Sequence, residues 1–223
     1  MILQELITAQ EKALRMIEVA EERAYFQNSK TEKELNTLLY DLAFELYGIK
    51  KFWHKRIVRA GKNTLFPYRE NPEDLAIRED EILFFDFGPV FEDWEADIGD
   101  TYVIGTDPDK LKLQKDVREA FQKGTEYFQN NKTITCSELY QYTCQLAKEY
   151  GWEYGNEHCG HLVGKFPHEK LLGEVIENYI HPDNHLPMRR LDKFGVPLQW
   201  IYEIHFIDPK KEIGGFYERL LLE

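Results

Sequence analysis

Apolar residues return at three- and four-residue steps through the start of the chain. Leu3, Leu6, Ile7, Leu14 and Ile17 share one helical stripe with Glu and Lys between them, which predicts a helix over 2–27. "NSK" breaks it. Thr31 with Glu34 forms a capping-box pattern that opens a second helix, which Gly48 closes. The pattern then changes period. "KFWHKRIVRAGKNTLFPY" is extended, with β-branched residues and a Gly-Lys-Asn turn, and "RENPEDLAIRED" is a polar loop. Two apolar runs, "EILFFDFGPV" and "ADIGDTYVIG", flank the acidic turn "FEDWE" and predict a hairpin. Helical spacing resumes after Asp107, with Pro108 in the first turn, and again after Thr135 and Glu138, ending at Gly151. "WEYGNEHCGHLVGKF" is extended and glycine-rich, which suggests backbone packed close to a neighbour. Residues 167–196 read as loop, and "PLQWIYEIHFID" and "FYERLLLE" as closing strands.

Helices, hairpin, helices, then strands is an α+β order, with an antiparallel sheet covered by helices on one face. Each half repeats helix, helix, extended pair, a rough twofold without literal sequence repetition. One domain over 1–223 is expected, with an N-terminal helical segment over 1–30.

Charge and cysteines narrow the setting. A net charge of −12 argues against nucleic acid or an anionic membrane as partner. Cys136, Cys144 and Cys159 are odd in number and lack zinc-site spacing, which points to a reducing compartment. Glu5, Glu11 and Lys12 interrupt any signal-peptide core, and no apolar run approaches the ~20 residues of a membrane span. The expected location is cytoplasmic.

The chemistry lies in four acids within apolar runs. A hairpin centred between Phe91 and Glu92 would set Asp86 and Asp97 directly opposite each other, with Cβ atoms ~5 Å apart on one face. Two bare carboxylates so close repel, unless a proton or a cation sits between them. Glu203 and Glu218 are likewise single acids in apolar runs, on what read as adjacent strands. "HCGHLVGKFPHE" offers His158, His161 and His168 as a further ligand. Four carboxylates with one imidazole balance two divalent cations, ~3.5–4 Å apart in dinuclear sites. Such a set suits manganese, iron, cobalt or zinc, whereas calcium prefers all-oxygen ligation. A lone strand acid ordinarily faces water; four of them in two hairpin-compatible pairs are the reason to look further.

At these residues the chain resembles the superfamily of methionine aminopeptidase, aminopeptidase P, prolidase and creatinase, whose fold is the curved "pita-bread" sheet. The likeness runs from about residue 30 to the end. The family's first motif falls on Asp86, Asp97 and Thr101, its histidines on His161 and His168, and its last two ligands on Glu203 and Glu218. "IVRAGKNTLFPY" is similar to the segment preceding the first Asp in the aminopeptidase P and prolidase branch. There a His precedes the Tyr and holds substrate; here Pro67 precedes Tyr68, and Ile204 replaces the Pro that follows the first Glu. The N-terminal domain of that branch has no counterpart, so a free-standing catalytic domain is expected.

The resemblance implies a peptide substrate, hydrolysis near its N-terminus, and two metals held by Asp86, Asp97, His161, Glu203 and Glu218. A hydroxide bridging the metals would attack the amide carbonyl, with Glu203 carrying the proton to the leaving amine and His168 donating to the carbonyl oxygen. His54, in "FWHKR", is a candidate for the missing substrate-holding His. His158, three before His161, is expected on the opposite face in a structural role. Two other outcomes stay open: a catalytically altered, protein-binding relative, and a metal-free C–N hydrolase of the creatinase kind. Homo-oligomerisation is also left open.

Overall fold

The computed structural model describes residues 2–167 and 175–223. Helix α1 (Ile2–Glu22) buries Leu6, Ala9, Ala13, Met16, Ile17 and Ala20; of the expected stripe, Leu6 and Ile17 are buried, and Leu3, Ile7 and Leu14 half-buried at its margin. It stops at Glu22 rather than at 27. Ala24 takes a left-handed φ of 56°, and the chain turns so that Phe26 stacks on Tyr102, ring centroids 3.9 Å apart. Helix α2 (Glu32–Tyr47) opens on a complete capping box, Thr31 with Glu34, and closes on Gly48.

Strand β1 (Ile57–Ala60) leads into a short 3-10 helix (Gly61–Leu65), and β2 (Ile82–Phe87) follows the polar loop. A small hairpin, β3 (Val90–Phe91) with β4 (Trp94–Glu95), separates β2 from β5 (Ile98–Val103). Helix α3 (Pro108–Asn130) is capped by Asp107, and α4 (Cys136–Tyr150) by a second capping box, Thr135 with Glu138. Then come β6 (Glu153–Tyr154), β7 (Gly160–Val163), and the long pair β8 (Gln199–Asp208) and β9 (Ile213–Leu220).

Among the described residues, seven strands form one antiparallel sheet in the order β1-β2-β5-β9-β8-β6, with β7 on the same edge of β8 as β6. The close packing expected of the glycine-rich segment is met at Gly160, where a Cβ would lie 2.1 Å from the Ile201 carbonyl oxygen. Alternate residues of the strands feed two cores on the helical side. Leu83, Phe85, Phe87 and Ile98 pack with α1 and α2, while Tyr202, Ile204 and Phe206 pack with α3 and α4. Each half thus contributes a helix pair and a hairpin.

The halves meet at a narrow seam, where β5 and β9 share the single pairing Gly99–Glu218. Side chains reinforce it. The Thr101 hydroxyl donates to the Phe216 carbonyl and accepts from the Phe216 N–H, both at 2.7 Å. The buried Arg219 donates to the carbonyls of Gly99 and Glu218, each at 2.6 Å, and reaches Asp100 at 3.2 Å.

Candidate metal centre

The residues on the face opposite the two large cores follow from strand parity. Asp86 pairs with Gly99, Gly99 with Glu218, and Glu218 with Glu203. These four positions form one row across β2, β5, β9 and β8, on the face away from those cores. Asp97 and His161 flank the row. His161 is opposite Ile201, two residues from Glu203 and therefore on the same face.

One register expectation is corrected. Asp86 is opposite Gly99, so Asp97 lies two residues beyond its predicted place, just before β5. The β3–β4 pairs, Val90–Glu95 and Phe91–Trp94, continue the same register, so the turn is centred between Glu92 and Asp93, one position later than expected. A shift of two leaves the face unchanged, so both aspartates still point to the same side, as diagonal rather than direct neighbours.

The side chains form two clusters that share Asp97: His54, Asp86 and Asp97; and Asp97, His161 and Glu218. His54 Nε2 lies 3.0 Å from Asp97 Oδ1 and 3.5 Å from Asp86 Oδ1. His161 Nε2 lies 3.1 Å from Asp97 Oδ2 and 3.7 Å from Glu218 Oε1. Glu203 Oε1 is 2.8 Å from His158 Nδ1, but without hydrogen-bond geometry, so both atoms are buried with no hydrogen-bond partner among the described residues, as is Glu218 Oε2. All four acids are buried, none more than 8% exposed.

Burial and mutual repulsion set the protonation of these side chains. Burial pushes the Asp86 carboxyl up to about 7, against the pull of His54. Burial raises Glu218 well above the usual range, and the charges of Asp97 and Asp86 add to it. Asp97 alone goes below its ordinary value: burial opposes this, but His54 and His161 both stabilise its charge. Burial would lower both imidazoles, yet the carboxylates win, lifting His54 to about 9 and His161 well above its ordinary value. Acids that keep protons beside imidazoles that hold theirs are a cluster short of positive charge. The donor set therefore fits divalent cations. Asp97 supplies one oxygen to each cluster, and the unpartnered oxygens of Glu203 and Glu218 stand ready as further donors.

The acids form the floor of a cavity of about 610 Å³, with Phe66, Tyr68, Tyr179 and Phe216 among its walls. That size suits a short peptide. His158 also lines it, its ring 4.8 Å from Tyr179. This corrects the expectation that His158 points to the opposite face. Alternation counted back from His161 fails because β7 begins only at Gly160, whose φ of 145° breaks the extended run. His54, the candidate from sequence for the missing substrate-holding His, is buried against both aspartates. Pro67 and Tyr68 line the cavity, with the Tyr68 ring 5.9 Å from that of His54. His168 lies outside the described residues.

Known proteins resemble the chain in sequence and in fold. Residues 4–193 match the model of Metallopeptidase family M24. The chain is 28% identical over 174 residues to a Xaa-Pro dipeptidase of Pyrococcus horikoshii, covering 73% of this chain and 48% of the relative. It spans about half the length of that relative. A dipeptidase structure from Mycobacterium ulcerans superposes with a TM-score of 0.75 at 20% identity, over 97% of this chain and 54% of that one. A methionine aminopeptidase from Thermotoga maritima gives 0.69 at 18% identity, over 97% of this chain and 92% of that one. These likenesses show the pita-bread fold.

Proposed function

The chain belongs to metallopeptidase family M24, and on that footing we propose that it hydrolyses the peptide bond near the N-terminus of short peptides, as an aminopeptidase or Xaa-Pro-type peptidase. The carrying observation is the row of buried acids, Asp86, Glu218 and Glu203, flanked by Asp97 and His161 on one face and opening into a peptide-sized cavity. Strands of both hairpins supply it, which supports reading 1–223 as one catalytic unit.

In this reading Asp86, Asp97, His161, Glu203 and Glu218 hold two divalent ions of manganese, cobalt, iron or zinc. Such ions supply a nucleophile near neutral pH by acidifying water, and they polarise the carbonyl under attack. Glu203, facing His158 Nδ1 at 2.8 Å and Asn156 Nδ2 at 3.4 Å, takes up the proton and passes it to the leaving amine. Tyr68, Tyr179 and Phe216 hold the peptide's side chains and exclude water. His168 is assigned the carbonyl oxygen, as donor to the tetrahedral intermediate.

The test is elemental analysis of purified protein, with turnover of Met-initiated and Xaa-Pro peptides after manganese or cobalt addition. Two metals per chain and metal-dependent release of the first residue are expected. A chain that binds no metal and cleaves neither peptide class refutes the proposal.

A further inference from the structure

The two imidazoles of the centre are placed alike, although they come from different kinds of structure. His161 belongs to β7; His54 belongs to a loop ahead of β1. In each, Nδ1 meets the backbone carbonyl of the following residue: Leu162 at 2.9 Å and Lys55 at 2.8 Å. Each Nε2 lies between an oxygen of Asp97 and a second acid, Glu218 for His161 and Asp86 for His54. A carbonyl only accepts, so Nδ1 carries the hydrogen in both rings. Each Nε2 then faces acceptors alone. Only a proton or a cation can reconcile an imidazole nitrogen with such neighbours. A ring with Nδ1–H on a carbonyl and Nε2 toward carboxylates is the form in which histidine ligates metals.

We propose that His54 is a protein ligand of the first metal ion, so that each metal position, not the second alone, carries an imidazole. This rests on the reading that the centre holds two dications. It assigns His54 a role other than holding substrate, because both ring nitrogens are already committed, one to Lys55 and one to the aspartates.

The loop is built to present this ring. The Trp53 N–H donates to the Gly88 carbonyl at 2.9 Å, and the Val90 N–H to that of Lys51 at 3.0 Å, which pins the segment to the end of β2. The Trp53 indole donates to the Ala96 carbonyl at 3.0 Å, and its ring centroid lies 4.4 Å from that of His54 and 5.1 Å from that of His161. Gly88 makes the room: a Cβ there would stand 2.2 Å from His54 Cδ2 and 2.3 Å from Trp53 Nε1. The His54 side chain is only 8% exposed. Packing thus fixes the imidazole before any ion arrives, as a ligand site requires. An added nitrogen donor biases the first position toward cobalt, zinc or iron over magnesium or calcium.

X-ray absorption on the cobalt-loaded wild-type protein counts imidazoles without any substitution. About one imidazole per cobalt is expected if both His54 and His161 ligate, against about half if His161 does so alone. The same count in His158→Ala assigns the second ring to His54; a lower count there assigns it to His158 and overturns the proposal. Equilibrium dialysis against cobalt should give two ions for wild type, and for His54→Ala one retained ion with the other bound at least about tenfold more weakly. Circular dichroism checks that the variant is folded. Two ions with half an imidazole each, or unchanged affinity in His54→Ala, overturn the role of His54 and leave the dinuclear centre standing. Failure of the wild type to hold two ions overturns both.

Discussion

The two acid-bearing hairpins meet one requirement, four carboxylates on one face, through different registers. In β8–β9, Glu203 and Glu218 are partners within a ladder of eight pairs. In β2–β5, Asp86 faces Gly99, and Asp97 lies in the step between that ladder and the β3–β4 pairs, which keep the same register. The consequences differ. Side by side, the glutamates keep oxygens with no hydrogen-bond partner among the described residues. Set diagonally, the aspartates leave a gap that the His54 ring enters. What a sheet-borne centre needs is therefore parity, which survives a slip of two, rather than direct opposition.

Asp97 belongs to neither hairpin's ladder yet serves both clusters, so its loss tests the whole arrangement. Asp97→Ala should strip both metals and lower peptide turnover by several orders of magnitude, read by elemental analysis beside kinetics. Turnover with metal still bound would show that the clusters do not act through this carboxylate.

Removing the metal exposes the electrostatics of the first hairpin. Burial pushes Asp86 from 3.8 up to about 7. Its contribution to stability is complete below about pH 4 and is lost as pH climbs through 7. His54, raised to about 9, acts in the same direction above its ordinary 6.5. Chelator-treated protein should therefore melt higher at pH 5 than at pH 8. Added manganese or cobalt should stabilise it more at pH 8, because the proton on Asp86 competes with the ion. Melting curves at the two pH values, with and without metal, check both signs.

His158 touches only the second hairpin, through Glu203. His158→Ala should lower turnover roughly 10–100-fold, the usual cost of losing a group that orients a ligand, with two metals still bound. A change in metal stoichiometry would instead make His158 a ligand. The seam between the hairpins carries the smallest effect. Arg219→Met leaves the Gly99 and Glu218 carbonyls without this donor, while Asp100 keeps Arg118 at 2.8 Å. A loss of about 1–3 kcal/mol is expected in chemical denaturation. A loss of metal as well would mean that the seam sets the position of Glu218.

Much of the fold was legible because its signals are local. Both capping boxes, at Thr31 and Thr135, form as read, and Gly48 and Gly151 end their helices. The acids in apolar runs are buried, as the energetic argument for a cation demanded. The errors fall where alternation is interrupted. The turn centre in the first hairpin was placed one position early, because Val90–Glu95 and Phe91–Trp94 pair about Glu92 and Asp93. His158 was assigned to the wrong side because strand parity was extended past Gly160.

Residue order alone determined the helices, the strands and the set of acids that need compensation, since capping and periodicity are carried by residues within a few positions of each other. Only the tertiary structure decided which groups share a charge. His54 reaches Asp97 across 43 positions of chain, and Asp97 meets Glu218 at a common imidazole because β5 and β9 close the sheet. No local spacing encodes such meetings. They depend on where the Trp53 loop packs and on the parity of strands drawn from opposite halves.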